Sequence, residues 1–143
     1  MKIDKLGGKL ILKNPKIIDP LNETIFQNDV MLDNNKIVEI GSMKIDDDIK
    51  TIDCNGLVLT HGFCDLHVHF RDPGNGDKET LESGSKSALA GGFTRVCTMP
   101  NTVPTIDTPE LINYTIEQAE KLPINIHPIG AVSYTHLTLP TKA

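Results

Sequence analysis

The sequence predicts an α/β protein in two parts, a small β-sandwich or roll followed by a parallel sheet with helices outside it. Three observations carry that prediction. From Met1 to about Asn55, short apolar runs are separated by polar turn clusters, the pattern of strands joined by hairpins. From His61 the pattern becomes strand, helix, strand, helix, strand, and right-handed crossovers turn such a series into a parallel sheet. The 143 residues are 38% hydrophobic and 23% charged, which suits a globular chain with one modest core and does not suit a disordered tail.

In the first part, the runs KLILK, KIID, DVML, KIVEIG and KTIDC read as strands, with Asp33 to Asn35 as a hairpin loop between two of them. No His, Cys or acidic constellation stands out there, and Asp46 to Asp48 read as a solvated loop, so this part is assigned a structural role. In the second part, GFCDLHVHF has the length of a strand and leads into the loop RDPGNGD. Leu81, Gly84, Ser85, Ala88 and Leu89 then fall on one helical face, and Gly91-Gly92 supplies the stop. FTRVCTM is the next strand and PNTVPTID the next loop. A second helix opens with Thr108 as N-cap and Pro109 in its first turn, runs to Lys121 and stops at Pro123. INIHPIG is the third strand.

Composition excludes several function classes. The formal charge is −5, and no cluster of Lys or Arg gives the electrostatic footprint of a nucleic-acid or anionic-membrane surface. No signal peptide or run of 18 apolar residues is present, so a cytoplasmic protein is expected. Cys54, Cys64 and Cys97 are odd in number and irregular in spacing, which points to reduced thiols acting as small buried hydrophobes.

The chemistry concentrates in DLHVHFRDPG, Asp65 to Gly74. Strict alternation along a strand sends Cys64, Leu66, Val68 and Phe70 to the helix side and Asp65, His67 and His69 to the other. Burying three such polar groups unpaired would cost roughly 1–3 kcal/mol each, a cost that a shared divalent cation removes. A His pair two residues apart is more often structural than a ligand pair. Asp65 beside it, the C-terminal end of a strand in a βα unit and a glycine-containing loop just after it favour a metal site. Two histidines alone do not complete a zinc shell. Arg71 and Asn101 follow the first and second strands, where a guanidinium fork and an amide could hold a substrate carboxylate. The plainer alternatives are a salt bridge from Arg71 to Asp72 or Asp77, ordinary turn chemistry for Asn101, and a satisfied core position for His127.

GFCDLHVHFRDPG, KETLESGSKSALAGGFTRVCTMPNTVP and HPIGA closely resemble the dihydroorotases of the cyclic amidohydrolase superfamily, in the monofunctional bacterial type, and the resemblance runs from the sandwich strands through Ala131. It implies a (β/α)8 TIM barrel flanked by a β-sandwich. Residues 1–57 would belong to the sandwich and 58–131 to the first three βα units of a truncated barrel, since a whole barrel takes about 250 residues. The resemblance implies one or two zinc ions and reversible interconversion of N-carbamoyl-L-aspartate and L-dihydroorotate in pyrimidine synthesis. His67 and His69 would be zinc ligands. His69, Arg71 and Asn101 would contact the substrate, with Arg71 and Asn101 gripping its carboxylate and Asp65 supporting the ligands. The family's general acid, a late aspartate, has no counterpart here, so the chain alone is expected to be inactive. A homodimer or an association with aspartate transcarbamoylase would be its partners.

Residues 132–143 change character. Val132 to Thr141 back-translate into a string resembling a transposon-derived sequencing adapter, so Tyr134 and His136 are read as belonging to a non-native tail. Two alternatives to dihydroorotase remain. One is another cyclic amidohydrolase of allantoinase or hydantoinase type, which would handle a neutral ring and not need Arg71 with Asn101. The other is a non-catalytic dihydroorotase-like partner of aspartate transcarbamoylase, which could dispense with both histidines.

Overall fold

The structure, a computed structural model, describes residues 8–44 and 48–132. Asp46, Asp47, Tyr134 and His136 therefore lie outside the described residues, while Asp48 is an exposed turn residue. The chain divides into two compact units between His61 and Gly62.

Among the described residues the first unit holds seven strands: β1 (Lys9–Lys13), β2 (Lys16–Asp19), β3 (Thr24–Gln27), β4 (Asp29–Asp33), β5 (Lys36–Gly41), β6 (Lys50–Asp53) and β7 (Val58–Leu59). They form a four-stranded sheet of order β5-β4-β1-β6 and a three-stranded sheet of order β3-β2-β7. Asn34 and Asn35 turn β4 into β5 with φ of 47° and 64°, a left-handed pair that asparagine tolerates and a two-residue hairpin requires. The strand β3 has no counterpart in the sequence reading. It exists because Asp19 organises the preceding turn: its Oδ1 accepts from the N–H groups of Leu21 (3.1 Å) and Asn22 (3.2 Å), and its Oδ2 accepts from Asn22 Nδ2 (2.7 Å). These bonds, led by the Asn22 side chain, hold the Asp19 carboxyl below its ordinary pKa. β7 pairs in parallel with β2, so Val58 and Leu59 belong to this unit. Leu10, Ile11, Ile17 and Val30 are its buried core. An apolar cleft of about 420 Å3, lined by Leu12, Ile17, Phe26, Val30 and Ile37 among others, lies between the two sheets.

The second unit contains β8 (Phe63–Val68), α1 (Leu81–Ala90), β9 (Phe93–Thr98), α2 (Pro109–Ala119) and β10 (Asn125–Pro128). The strands form one parallel sheet of order β10-β9-β8. α1 forms where the apolar spacing predicts it. Thr80 caps it, with Oγ1 accepting from the Ser83 N–H (3.0 Å) while Ser83 Oγ accepts from the Thr80 N–H (2.9 Å). Thr108 caps α2, and Pro109 fits the first position, where no N–H is needed. Phe70, Leu81, Val96, Ala119, Ile124 and Ile126 form the core between helices and sheet. Each large apolar side chain buried there contributes roughly 1.5–3 kcal/mol.

Several expectations are corrected. The apolar residues of the first barrel-like strand do not all face the helices: Cys64 is exposed and Leu66 is 70% exposed, whereas Val68 packs on the core and Phe70 is buried. The alternation breaks because the register with β9 shifts between Asp65 and Val68. Of the three thiols only Cys54 is buried, with Cys97 intermediate. His127 is exposed rather than a core histidine, and it stands in register with Cys97.

Candidate metal and substrate site

The site grows from the break in β8. Asp65 is in register with Val96, a buried member of the helix-side core. Its Oδ1 accepts from the N–H of His67 at 2.9 Å. A carboxylate that captures the amide two residues on competes with the sheet ladder for that donor. The two rings that follow converge: His67 Nε2 and His69 Nε2 are 3.1 Å apart, with ring centroids 5.0 Å apart.

Asn101 enters from the loop after β9. Its Oδ1 lies 2.8 Å from His69 Nδ1. An amide oxygen only accepts, so His69 Nδ1 carries the proton and a neutral ring keeps its lone pair on Nε2. The loop that carries Asn101 is fastened from within. Thr102 is buried, its hydroxyl donating to Pro104 O (2.7 Å), and the Ile106 N–H donates to Pro100 O (3.1 Å). The loop after β8 is tied to the same segment, since the Val103 N–H donates to Pro73 O at 3.1 Å. Gly74, at φ +101°, lies so close to Val103 that a Cβ would stand 1.8 Å from its carbonyl oxygen, so only glycine fits.

Arg71 is half-buried, and its carbonyl accepts from the Asn75 N–H at 2.9 Å. The salt bridge to Asp72 or Asp77 does not form: among the described residues the one ion pair is Lys86–Glu82, at 2.6 Å on the surface of α1. Lys86 beside Glu82, bonding and attracting it, keeps that carboxyl below its ordinary range. Burial pushes the Tyr114 phenol up in pKa, and the charge and hydrogen bond of Asp72 push it further. Nothing in the spacing of the sequence joins Asn101 to His69, and this contact is the part of the site that sequence reasoning missed.

The structure thus brings together His67, His69 and Asn101, with Asp65 bonded to the backbone between the rings and the strand start. Among the described residues, no three His, Cys, Asp or Glu side chains gather as a metal site. The two imidazole nitrogens nonetheless suit a cation. With Zn–N bonds of about 2.0–2.1 Å, two ligands of one tetrahedral zinc stand about 3.4 Å apart, within a few tenths of the 3.1 Å found here. A cleft of about 320 Å3 bounded by Gly84, Ser87 and Ala88 of α1 reaches Asp65 and His69.

Comparison with known proteins places the chain in a class. The unit and its preceding strands resemble L-hydantoinase (dihydropyrimidinase) from Arthrobacter aurescens, with a TM-score of 0.73 and 27% identity over 85% of this chain and 27% of that one. The chain belongs to the dihydro-orotase-like family, whose model matches residues 56–137. It is 43% identical to the dihydroorotase of Lactococcus lactis and 40% identical to that of Aquifex aeolicus, in each case over 87% of its own length. It spans 29% and 30% of those two relatives.

Proposed function

We propose that this chain supplies the first metal-ligating strand and the carboxylate-binding loops of a dihydroorotase, an enzyme that interconverts L-dihydroorotate and N-carbamoyl-L-aspartate in pyrimidine synthesis. The observation that carries the reading is the 3.1 Å approach of the His67 and His69 Nε2 atoms. In this reading residues from His61 to Ala131 are the first three βα units of a (β/α)8 barrel and His67 and His69 hold zinc. When bound, zinc polarises a carbonyl and lowers the pKa of water to about 7. The chain's own residues bind and orient. Arg71, which makes no ion pair among the described residues, offers its guanidinium to a substrate carboxylate. Asn101, whose oxygen is held by His69, has its amide N–H groups left to donate to the same anion. Fixing the ring this way makes attack nearly intramolecular in its entropy.

Hydantoinase-type chemistry is the second reading, favoured by the structural likeness to L-hydantoinase. Such substrates carry no ring carboxylate, so they leave Arg71 and Asn101 without a role. Partnership with aspartate transcarbamoylase, homodimerisation and a cytoplasmic setting accompany the first reading. Among the described residues no helix is long and apolar enough to cross a membrane.

The test puts residues 8–132 of this chain in place of the matching stretch of the Lactococcus lactis dihydroorotase. The hybrid should open dihydroorotate in a zinc-dependent manner, and Arg71→Met should raise KM by about 10–100-fold, corresponding to about 1.5–3 kcal/mol for a charge-assisted hydrogen bond. Preference for a hydantoin over dihydroorotate would overturn the reading in favour of the second. Assembly without turnover would favour a non-catalytic partner.

A further inference from the structure

We infer that Asn101 is a positioning residue for His69: its side-chain oxygen fixes which ring nitrogen carries the proton, so that Nε2 is offered as a lone pair toward His67. The inference rests, for its metal consequence, on the reading of His69 as a ligand.

A neutral imidazole has one N–H and one lone pair, and the partner of one nitrogen decides what the other can do. His69 Nδ1 faces Asn101 Oδ1 at 2.8 Å. The opposite assignment, with Nδ1 as acceptor, would set two acceptors against each other at that distance. His69 Nε2 is therefore the acceptor, and the contact of 3.1 Å with His67 Nε2 is either N–H to lone pair or two lone pairs on one cation. A ligand histidine whose second nitrogen is held in this way keeps both ring orientation and basicity, and loss of such a partner typically costs about 10–100-fold in metal affinity.

Asn101 can act this way because its loop is rigidly placed. Thr102 is only 5% exposed, and its hydroxyl bonds two carbonyls of the loop, those of Pro100 and Pro104. The Ala131 N–H donates to Ile106 O at 2.7 Å, closing the loop against the chain that follows β10. The same bond that orients His69 orients the amide: with Oδ1 engaged, Nδ2 presents only donors, so one residue would link the metal ligand to an anionic substrate.

The experiment uses the 143-residue chain with histidine labelled by 15N, above about pH 8, where imidazoles are neutral. Long-range 1H–15N spectra should show His69 protonated on Nδ1. Asn101→Leu should move it toward the Nε2-protonated form, and Asn101→Asp, which keeps an oxygen acceptor, should restore the Nδ1 form. Backbone amide positions of β9 and α2 in the same samples report that the fold persists. Zinc titration should show an affinity lower by about 10–100-fold in Asn101→Leu, with recovery in Asn101→Asp. His69 protonated on Nε2 in the unaltered chain would overturn the inference, as would a tautomer indifferent to both substitutions. If zinc fails to shift either ring while the tautomer still follows residue 101, the positioning role stands and the metal reading falls.

Discussion

Asp65 shows how a single side chain converts a strand into a site. Regular alternation would have put it beside His67 and His69, whereas the structure registers it with Val96 and bonds its carboxylate to the His67 N–H. Asp65 then acts on the rings through the backbone, by stabilising the register shift between Asp65 and Val68, within which His67 lies. Asp65→Ala should cost about 1 kcal/mol of stability, the worth of one hydrogen bond, read as a lower midpoint in urea. It should also separate the resonances of the two rings, which Asp65→Asn, keeping an oxygen acceptor, would leave in place. Unchanged ring signals in Asp65→Ala would show that the shift is held by something else. The pairing of the two histidines was legible from their spacing of two, and it survives although the register shift between Asp65 and Val68 includes His67. The contact from His69 to Asn101 spans 32 residues and depends on how two loops close, and no local periodicity encodes that.

At the scale of elements, local signals were strong where caps and apolar spacing agree. α1 lies where its apolar spacing and the Gly91-Gly92 stop predicted, α2 begins where its Thr108 cap predicted but ends at Ala119 rather than Lys121, and β1, β2, β4, β5 and β6 match apolar runs bounded by turn residues. β3 and β7 were missed for a physical reason: each is short and largely exposed, and each is specified by the neighbour it pairs with, β2 in both cases. Gly84 shows tertiary contact overriding propensity. In a helix interior alanine is favoured over glycine by about 1 kcal/mol. Here a Cβ on Gly84 would meet Phe70 Cε1 at 2.4 Å and Cδ1 at 2.5 Å, and Phe70 is only 6% exposed. Overpacking of that kind costs about 1–3 kcal/mol, so the clash outweighs the gain. Gly84→Ala should therefore lower the free energy of unfolding by about 1 kcal/mol, whereas adding Phe70→Leu should give a double mutant more stable than the sum of the two single changes. Simple additivity in urea denaturation would show that the ring moves aside freely.

At the scale of the whole molecule, the second unit leaves a parallel sheet with two open sides. Among the described residues β8 and β10 each pair only with β9. The two edges differ. β10 ends in Pro128, which has no N–H to offer a further strand, whereas β8 carries Phe63, 48% exposed, and Leu66, 70% exposed. An edge strand that combines unpaired backbone groups with exposed apolar side chains is a template for pairing with another chain. The formal charge of −5 spread over 143 residues opposes that only weakly at physiological salt, where screening acts within about 8 Å. The chain should therefore self-associate through β8, with sedimentation velocity showing a mean mass that rises from low to high micromolar concentration. Leu66→Lys places a charge on this edge and should shift the distribution toward monomer, while the same change at exposed Leu21, in the other unit, should not. A monomer at every concentration, or equal effects of the two substitutions, would mean that the open edge of β8 is not what the chain uses.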